Sequence, residues 1–361
     1  MRFSPRGIIA CIGLIFFSLA AGTSVCSDCP NAARWSAPGV GFDLTLDYGT
    51  SAVHFLNGTT VPNAAIEGNV AYKQQMRELV QTAVARNWTG GIQRPVPTWF
   101  HSIKGLFSLK TSPTPLQLML RSLKIDTEAY LGHEVHFAEV SFPAWLDHDS
   151  YQLRTIDLAL RQLGITHTIK VPYQAIRAAE FAYARRSLPT SAQVQWELGL
   201  DYSRSALAIA VDEVDDGGLY ENFIWKIRTD LGYDSAWNHP IDPQVGYLIA
   251  KPHYWEAVEE ELRQALKVLG NAKIERLTLV GDRIIGDEHL LKILSKVLGT
   301  ETCNNALRKT KALQERGIIV NPLFAAAMGQ AQTSDMFREM SPNGCYYALN
   351  CPGAQVLHSE L

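Results

Sequence analysis

The chain has 361 residues, 47% of them hydrophobic and 19% charged, with a net charge of −3. That composition excludes a disordered tail, a collagen-like repeat and a multi-span membrane protein, and it offers no basic excess to drive binding to nucleic acid. At roughly 150 residues per domain the length predicts two domains.

The N-terminus differs from the rest. Arg2 and Arg6 precede an uncharged apolar run, Gly7–Gly22, which closes on the small residues Ala20, Ala21 and Gly22. This is the layout of a secretory signal peptide over residues 1–22. The run is short of the ~20 apolar residues that a spanning helix needs. The sequence therefore predicts a secreted, extracellular chain with no membrane partner after signal cleavage. Two sequons, Asn57-Gly58-Thr59 and Asn87-Trp88-Thr89, become glycosylation candidates in such a chain. Beyond the signal the cysteines gather near the two ends, at Cys26, Cys29, Cys303, Cys345 and Cys351. In an oxidising compartment this pattern predicts one or two disulfide bonds, with one cysteine left over.

Along the chain, Val40–Leu44 reads as a strand and Ala52–Leu56 as its hairpin partner. Leu116, Met119, Leu120 and Leu123 recur at helical spacing, between prolines at 113 and 115 and the stop at Gly132. Val135–Phe142 reads as a buried strand. A helix follows with Leu153, Ile156, Leu160 and Leu163 on one face, Asp147 or Asp149 as its cap and Gly164 as its stop. Ile169–Val171 reads as a short strand and 175–186 as a helix. The pattern then restarts, because Leu198-Gly199-Leu200-Asp201-Tyr202 is similar to Val40-Gly41-Phe42-Asp43-Leu44. Ala206–Val214 is the next strand. Asp215–Gly218 reads as a hairpin turn, and Asp212, Glu213, Asp215 and Asp216 as a solvated acidic stretch. Helices are expected over 252–269, 286–298 and 322–330, and strands over 277–280 and 317–320. From Thr333 onward no periodicity remains. Each half thus begins with a hairpin and continues into alternating helices and strands, an α/β arrangement with an internal repeat.

The order of several motifs resembles the nucleotide-binding domain of the Hsp70 chaperones, within the actin-like ATPase (ribonuclease H-like) fold. The likeness is carried by Thr127–Ile165 with Tyr130-Leu131-Gly132 and Pro143-Ala144-Trp145, then by 178–183 as an alanine-rich helix. Leu279-Val280-Gly281 follows as an adenosine motif and 322–329 as a closing helix. The resemblance implies a two-lobed α/β fold with a nucleotide-type cleft between the lobes. Lobe I would span 38–192 plus the closing helix 322–331. Lobe II would span 193–321 with a shortened outer subdomain, and 332–361 would be a C-terminal tail too short for the family's peptide-binding domain.

In that family two glycine-rich hairpin loops close on the phosphates of ATP, and a carboxylate beside each holds Mg²⁺ through water. The first loop matches in two frames. In one, Asp43 is the metal-side carboxylate and Thr45 stands at the phosphate glycine. In the other, Asp47-Tyr48-Gly49-Thr50 is used with a two-residue slip. We favour Asp43. In the second loop the carboxylate is Asp201, and Ser203, Arg204 and Ser205 replace glycines. Gly281, Asp282 and Arg283 match the adenosine motif. Ala175 stands where the family has the Glu that organises the attacking water, and an alanine can neither accept a proton nor hold a water. The resemblance thus implies ATP and Mg²⁺ as cofactors, with Asp43 and Asp201 on the metal side. Thr45, Asp47, Gly49, Thr50, Ser203, Arg204, Ser205, Gly281, Asp282 and Arg283 would face the nucleotide. The departures lead us to expect a degenerate, secreted ATPase-fold protein that serves as a binding or scaffold module, at most a weak ATPase. The alternatives are a genuine ATP-binding protein with slow Mg²⁺-dependent hydrolysis and an unrelated secreted hydrolase. Neither a nucleophile-elbow motif nor a Walker-type phosphate loop is present.

Overall fold

The structure, a computed structural model, describes residues 37–87, 113–148, 150–167, 172–183, 195–214, 220–236, 253–270, 272–284, 287–315 and 320–340. Pro38–Met336 forms one compact unit. The expected signal peptide, its Cys26 and Cys29, and the C-terminal cysteines 345 and 351 lie outside the described residues.

Two mixed sheets organise the unit. In the first, β1 (Gly39–Leu44), β2 (Tyr48–His54) and β3 (Thr60–Glu67) form an antiparallel meander. β4 (Glu139–Phe142) and β5 (Tyr173–Gln174) add in parallel on the far side of β1, giving the order β3-β2-β1-β4-β5. In the second, β6 (Gln195–Tyr202), β7 (Leu207–Val214) and β8 (Tyr220–Arg228) form another antiparallel meander. β9 (Ile274–Val280) joins β6 in parallel, so the order is β8-β7-β6-β9. A parallel neighbour needs a crossover. In the first sheet α1 (Val70–Asn87) and α2 (Pro115–Leu131) lie between β3 and β4, and α3 (Tyr151–Gln162) between β4 and β5. In the second, α5 (Tyr254–Leu266) lies between β8 and β9; α4 (Ala175–Tyr183) precedes β6. α6 (Glu288–Leu298), α7 (Thr300–Glu315) and α8 (Ala325–Met340) follow β9. The two sheets share one plan, and the repeat read in the sequence is a repeat of topology.

Local chemistry accounts for the clearest element. Thr114 caps α2 by accepting from the N–H of Gln117, Pro115 opens the helix, and Gly132 ends it at φ 74°. Its apolar stripe of Leu116, Met119, Leu120 and Leu123 is buried. Other expectations need correction. The cap of α3 is Ser150, whose Oγ accepts from Leu153 N at 3.1 Å, and not Asp147; Asp149 lies outside the described residues. The strand expected from Val135 begins only at Glu139. Before it, Val135 N donates to the Glu128 side chain, and a single bridge joins Phe137 to Thr166. Asp212 is not solvated; it lies buried in β7. The final helix does not stop at Gln330, since Ala331, Thr333 and Asp335 continue it and are buried. The segments 169–171, 215–218 and 317–319 lie outside the described residues.

A layer of small residues is buried where the helices meet the sheets: Ala52, Ala175, Ala178, Ala208, Ala210 and Ala327. Glycines permit the closest approaches. A Cβ on Gly41 of β1 would overlap the Ala327 carbonyl of α8, and one on Gly199 of β6 would overlap the Ile176 side chain of α4. A Cβ on Gly329 of α8 would overlap the Ala178 carbonyl of α4. The matching strands β1 and β6 are therefore each packed by one helix, and those two helices touch each other.

Candidate functional site at the two hairpin loops

The β1–β2 and β6–β7 connections are equivalent residue by residue. The last paired residues are Leu44 with Gly49 and Tyr202 with Leu207, so four residues link each pair, 45–48 and 203–206. Asp43 and Asp201 sit one residue before those last pairs. Thr45 N donates to Tyr48 O at 2.9 Å, and Ser203 N to Ala206 O at 3.0 Å. The Thr45 hydroxyl also donates to Tyr48 O, and the Ser203 hydroxyl to Ala206 O. In the first loop Thr45 Oγ1 further accepts from the backbone N–H groups of Asp47 and Tyr48, at 3.2 and 2.9 Å.

The carboxylates of the two loops gather. Asp43 is buried and accepts from Ser141 Oγ of β4 at 2.7 Å. Burial pushes its carboxyl up to about 7 against the lowering effect of that hydrogen bond. Asp201 has no hydrogen-bond partner among the described residues. Burial, with the nearby charges of Asp43, Asp282 and Asp47, pushes it up to about 8. Asp282 is raised by burial, and Arg204 and Arg283 oppose the rise. One oxygen of Asp47, Oδ2, is buried without a hydrogen-bond partner among the described residues.

Side chains bond across from one loop to the other. Arg204 binds Glu67 with two hydrogen bonds, at 3.1 and 2.7 Å, and its Nε lies 2.9 Å from Asp282. The Arg204 backbone N–H also points to Asp282, at 3.3 Å. Ser205 Oγ donates to Asp47 Oδ1 at 2.7 Å and accepts from Arg77 at 3.0 Å. Gly232 backs the second loop, where a Cβ would overlap Ala206 N. Asp47, Glu67 and Arg77 belong to the first half of the unit, and Arg204, Ser205 and Asp282 to the second, so these contacts latch the halves together.

Most of the residues expected from sequence come together here: Asp43, Thr45, Asp47, Asp201, Ser203, Arg204, Ser205 and Asp282. Gly281, at φ 110°, passes so close that a Cβ would sit 2.9 Å from Asp201 Oδ1. Arg283 lies over the ring of Tyr233, 4.6 Å from its centroid. Gly49 is turned elsewhere, with its open side against Met119 and Leu123 of α2. Thr50 is fully buried, and its hydroxyl has no hydrogen-bond partner among the described residues. The residues that sequence reasoning missed are Glu67 and Arg77. Both lie on elements it did not delineate, β3 and α1, although Asn69 caps α1 through Tyr72 N in a legible way. A separate buried acidic group was missed as well, made of Glu180, Glu197 and Asp212 with Arg177 at 3.0 Å from Glu180. Burial raises all three carboxyls.

ATP phosphates do not fit these loops as they stand. The amides of Thr45, Asp47, Tyr48, Ser203 and Arg204 are already bonded within the protein. Arg204 already faces two carboxylates, and Asp47 and Asp282 would repel a polyphosphate. Among the described residues no group of three or more His, Cys, Asp or Glu side chains is arranged to hold a metal ion. None of them forms a helix long and apolar enough to cross a membrane. The sequence matches no protein-family model, and no curated protein is significantly similar to it.

Proposed function

We propose that the chain is a secreted, Hsp70-like protein of the two-lobed actin-like ATPase fold whose nucleotide cleft is closed by its own side chains. It acts as a binding or scaffold module and not as an ATPase. The duplicated strand order and the motif order along the chain support the fold reading. The functional reading rests on one observation: the hydroxyls and carboxylates of the loops take the donors that a phosphate would need, and Arg204 bridges Glu67 and Asp282 across the site.

A second reading, slow Mg²⁺-dependent hydrolysis, draws on Asp201. A buried carboxyl with no hydrogen-bond partner, beside a second buried aspartate, is a place where a divalent cation would favour the ionised form. Phosphate release over a long incubation with Mg-ATP separates the two. The first reading expects release no faster than buffer alone. Sustained release that is lost in Asp201→Asn would replace it with the second.

A further inference from the structure

The β2–β3 connection carries a feature unrelated to the loops above. Its five residues, Phe55-Leu56-Asn57-Gly58-Thr59, close a tight turn. Gly58 N donates to Phe55 O and Phe55 N to Thr59 O, both at 2.8 Å, and Gly58 adopts φ 82°. Asn57 is exposed, and its Oδ1 accepts from Thr59 N at 2.9 Å. No described residue takes its Nδ2.

The turn also carries two large apolar side chains ahead of its polar Asn-Gly-Thr tip. Leu56 is 60% exposed, and Tyr130, at the end of α2, is 50% exposed. The Phe55 and Tyr130 rings lie 6.4 Å apart at 58°. Exposed apolar surface gathered in one place marks something that covers it.

We propose that Asn57 carries an N-linked glycan and that its first sugar lies on the Phe55–Tyr130 platform. The acceptor amide is presented at an accessible tip, within the Asn-X-Thr triplet that glycosylation requires. In the reaction Asn57 Nδ2 forms a bond to the anomeric carbon of an oligosaccharide carried on a polyprenyl pyrophosphate. The bond from that carbon to the pyrophosphate oxygen breaks, the lipid pyrophosphate leaves, and Nδ2 gives up one proton to the transferase. The C–H face of a pyranose ring packs on an aromatic face much as other apolar groups do, which would account for half-buried Phe55 and exposed Leu56 and Tyr130 beside the acceptor.

The test is to express the full chain, with its own N-terminus, in eukaryotic cells and analyse the Asn57 peptide by mass spectrometry. The expected result is an N-acetylhexosamine-based glycan on Asn57 that is missing in Thr59→Ala, which keeps the asparagine and the turn backbone. An unmodified Asn57 in the wild-type chain, from medium or from cells, overturns the site. The platform is read by thermal melting. Thr59→Ala is expected to lower Tm in the wild-type background and to lower it less when Tyr130 is already alanine. An equal drop in both backgrounds overturns the platform.

Discussion

Asp43 and Asp201 hold matching places at the ends of β1 and β6, and burial pushes their carboxyls up to about 7 and about 8. Well below the ordinary aspartate value of 3.8, folded and unfolded chains alike keep these protons, so the pair costs nothing. As pH rises, the unfolded chain ionises first. The folded state then loses relative stability until pH exceeds the raised values. Asp201→Asn removes that dependence. It is expected to change stability little at about pH 3 and below and to stabilise by a few kcal/mol above about pH 8, as read by denaturant unfolding across pH. A difference that does not grow with pH would show that Asp201 is not held protonated by the fold.

Thr45 teaches a related lesson. In the sequence it reads as a missing glycine; in the structure its hydroxyl organises the turn by satisfying Asp47 N and Tyr48 N. Thr45→Val keeps the shape and removes that acceptor, so it is expected to destabilise by about 1–3 kcal/mol, and Thr45→Ser to restore most of the loss. The matching hydroxyl at Ser203 was legible, since each follows its aspartate by two positions. Its role was not, because a backbone partner cannot be read from residue type. Asp212 shows the opposite failure. In a run of acidic residues it reads as solvated, but it lies buried in β7 beside Glu180 and Arg177 of α4.

At the scale of elements, β1, α2, α3 and β9 were legible because their apolar spacing and stops agree with their packing, whereas the partner of β1, expected at Ala52–Leu56, runs Tyr48–His54. β3 was not legible, since none of its residues is fully buried and it carries Pro62 and Asn63 where alternation would be expected. α1 escaped because its buried positions, Tyr72, Met76, Leu79, Val80 and Ala83, are diluted by charged and polar neighbours. The crossing of α4 and α8 depends on Gly329, whose missing side chain faces the Ala178 carbonyl. Gly329→Ala must push two backbones apart. We expect a loss of about 1–3 kcal/mol in spite of alanine's better helix propensity, measured by thermal or denaturant unfolding. A stabilised variant would mean that the helices do not meet there.

For the whole molecule, two sheets of one plan meet at paired loops, and Arg204, Ser205, Asp47, Glu67 and Asp282 hold the loops together. The internal repeat made the plan and the loops visible, because Asp43 and Asp201 and the strands around them keep the same spacing. It left the latch unseen, because Glu67 and Arg77 approach from elements distant in sequence. The central claim is that these contacts leave no place for a nucleotide. Any ligand that binds only the folded state raises its apparent stability, by about 2.7 kcal/mol at one hundred times Kd. The most direct measurement is therefore the melting temperature of the full chain titrated with Mg-ATP into the millimolar range. The account predicts no shift beyond that produced by Mg²⁺ and salt alone. A saturable rise of several degrees with Mg-ATP, lost in Asp43→Asn, would contradict it.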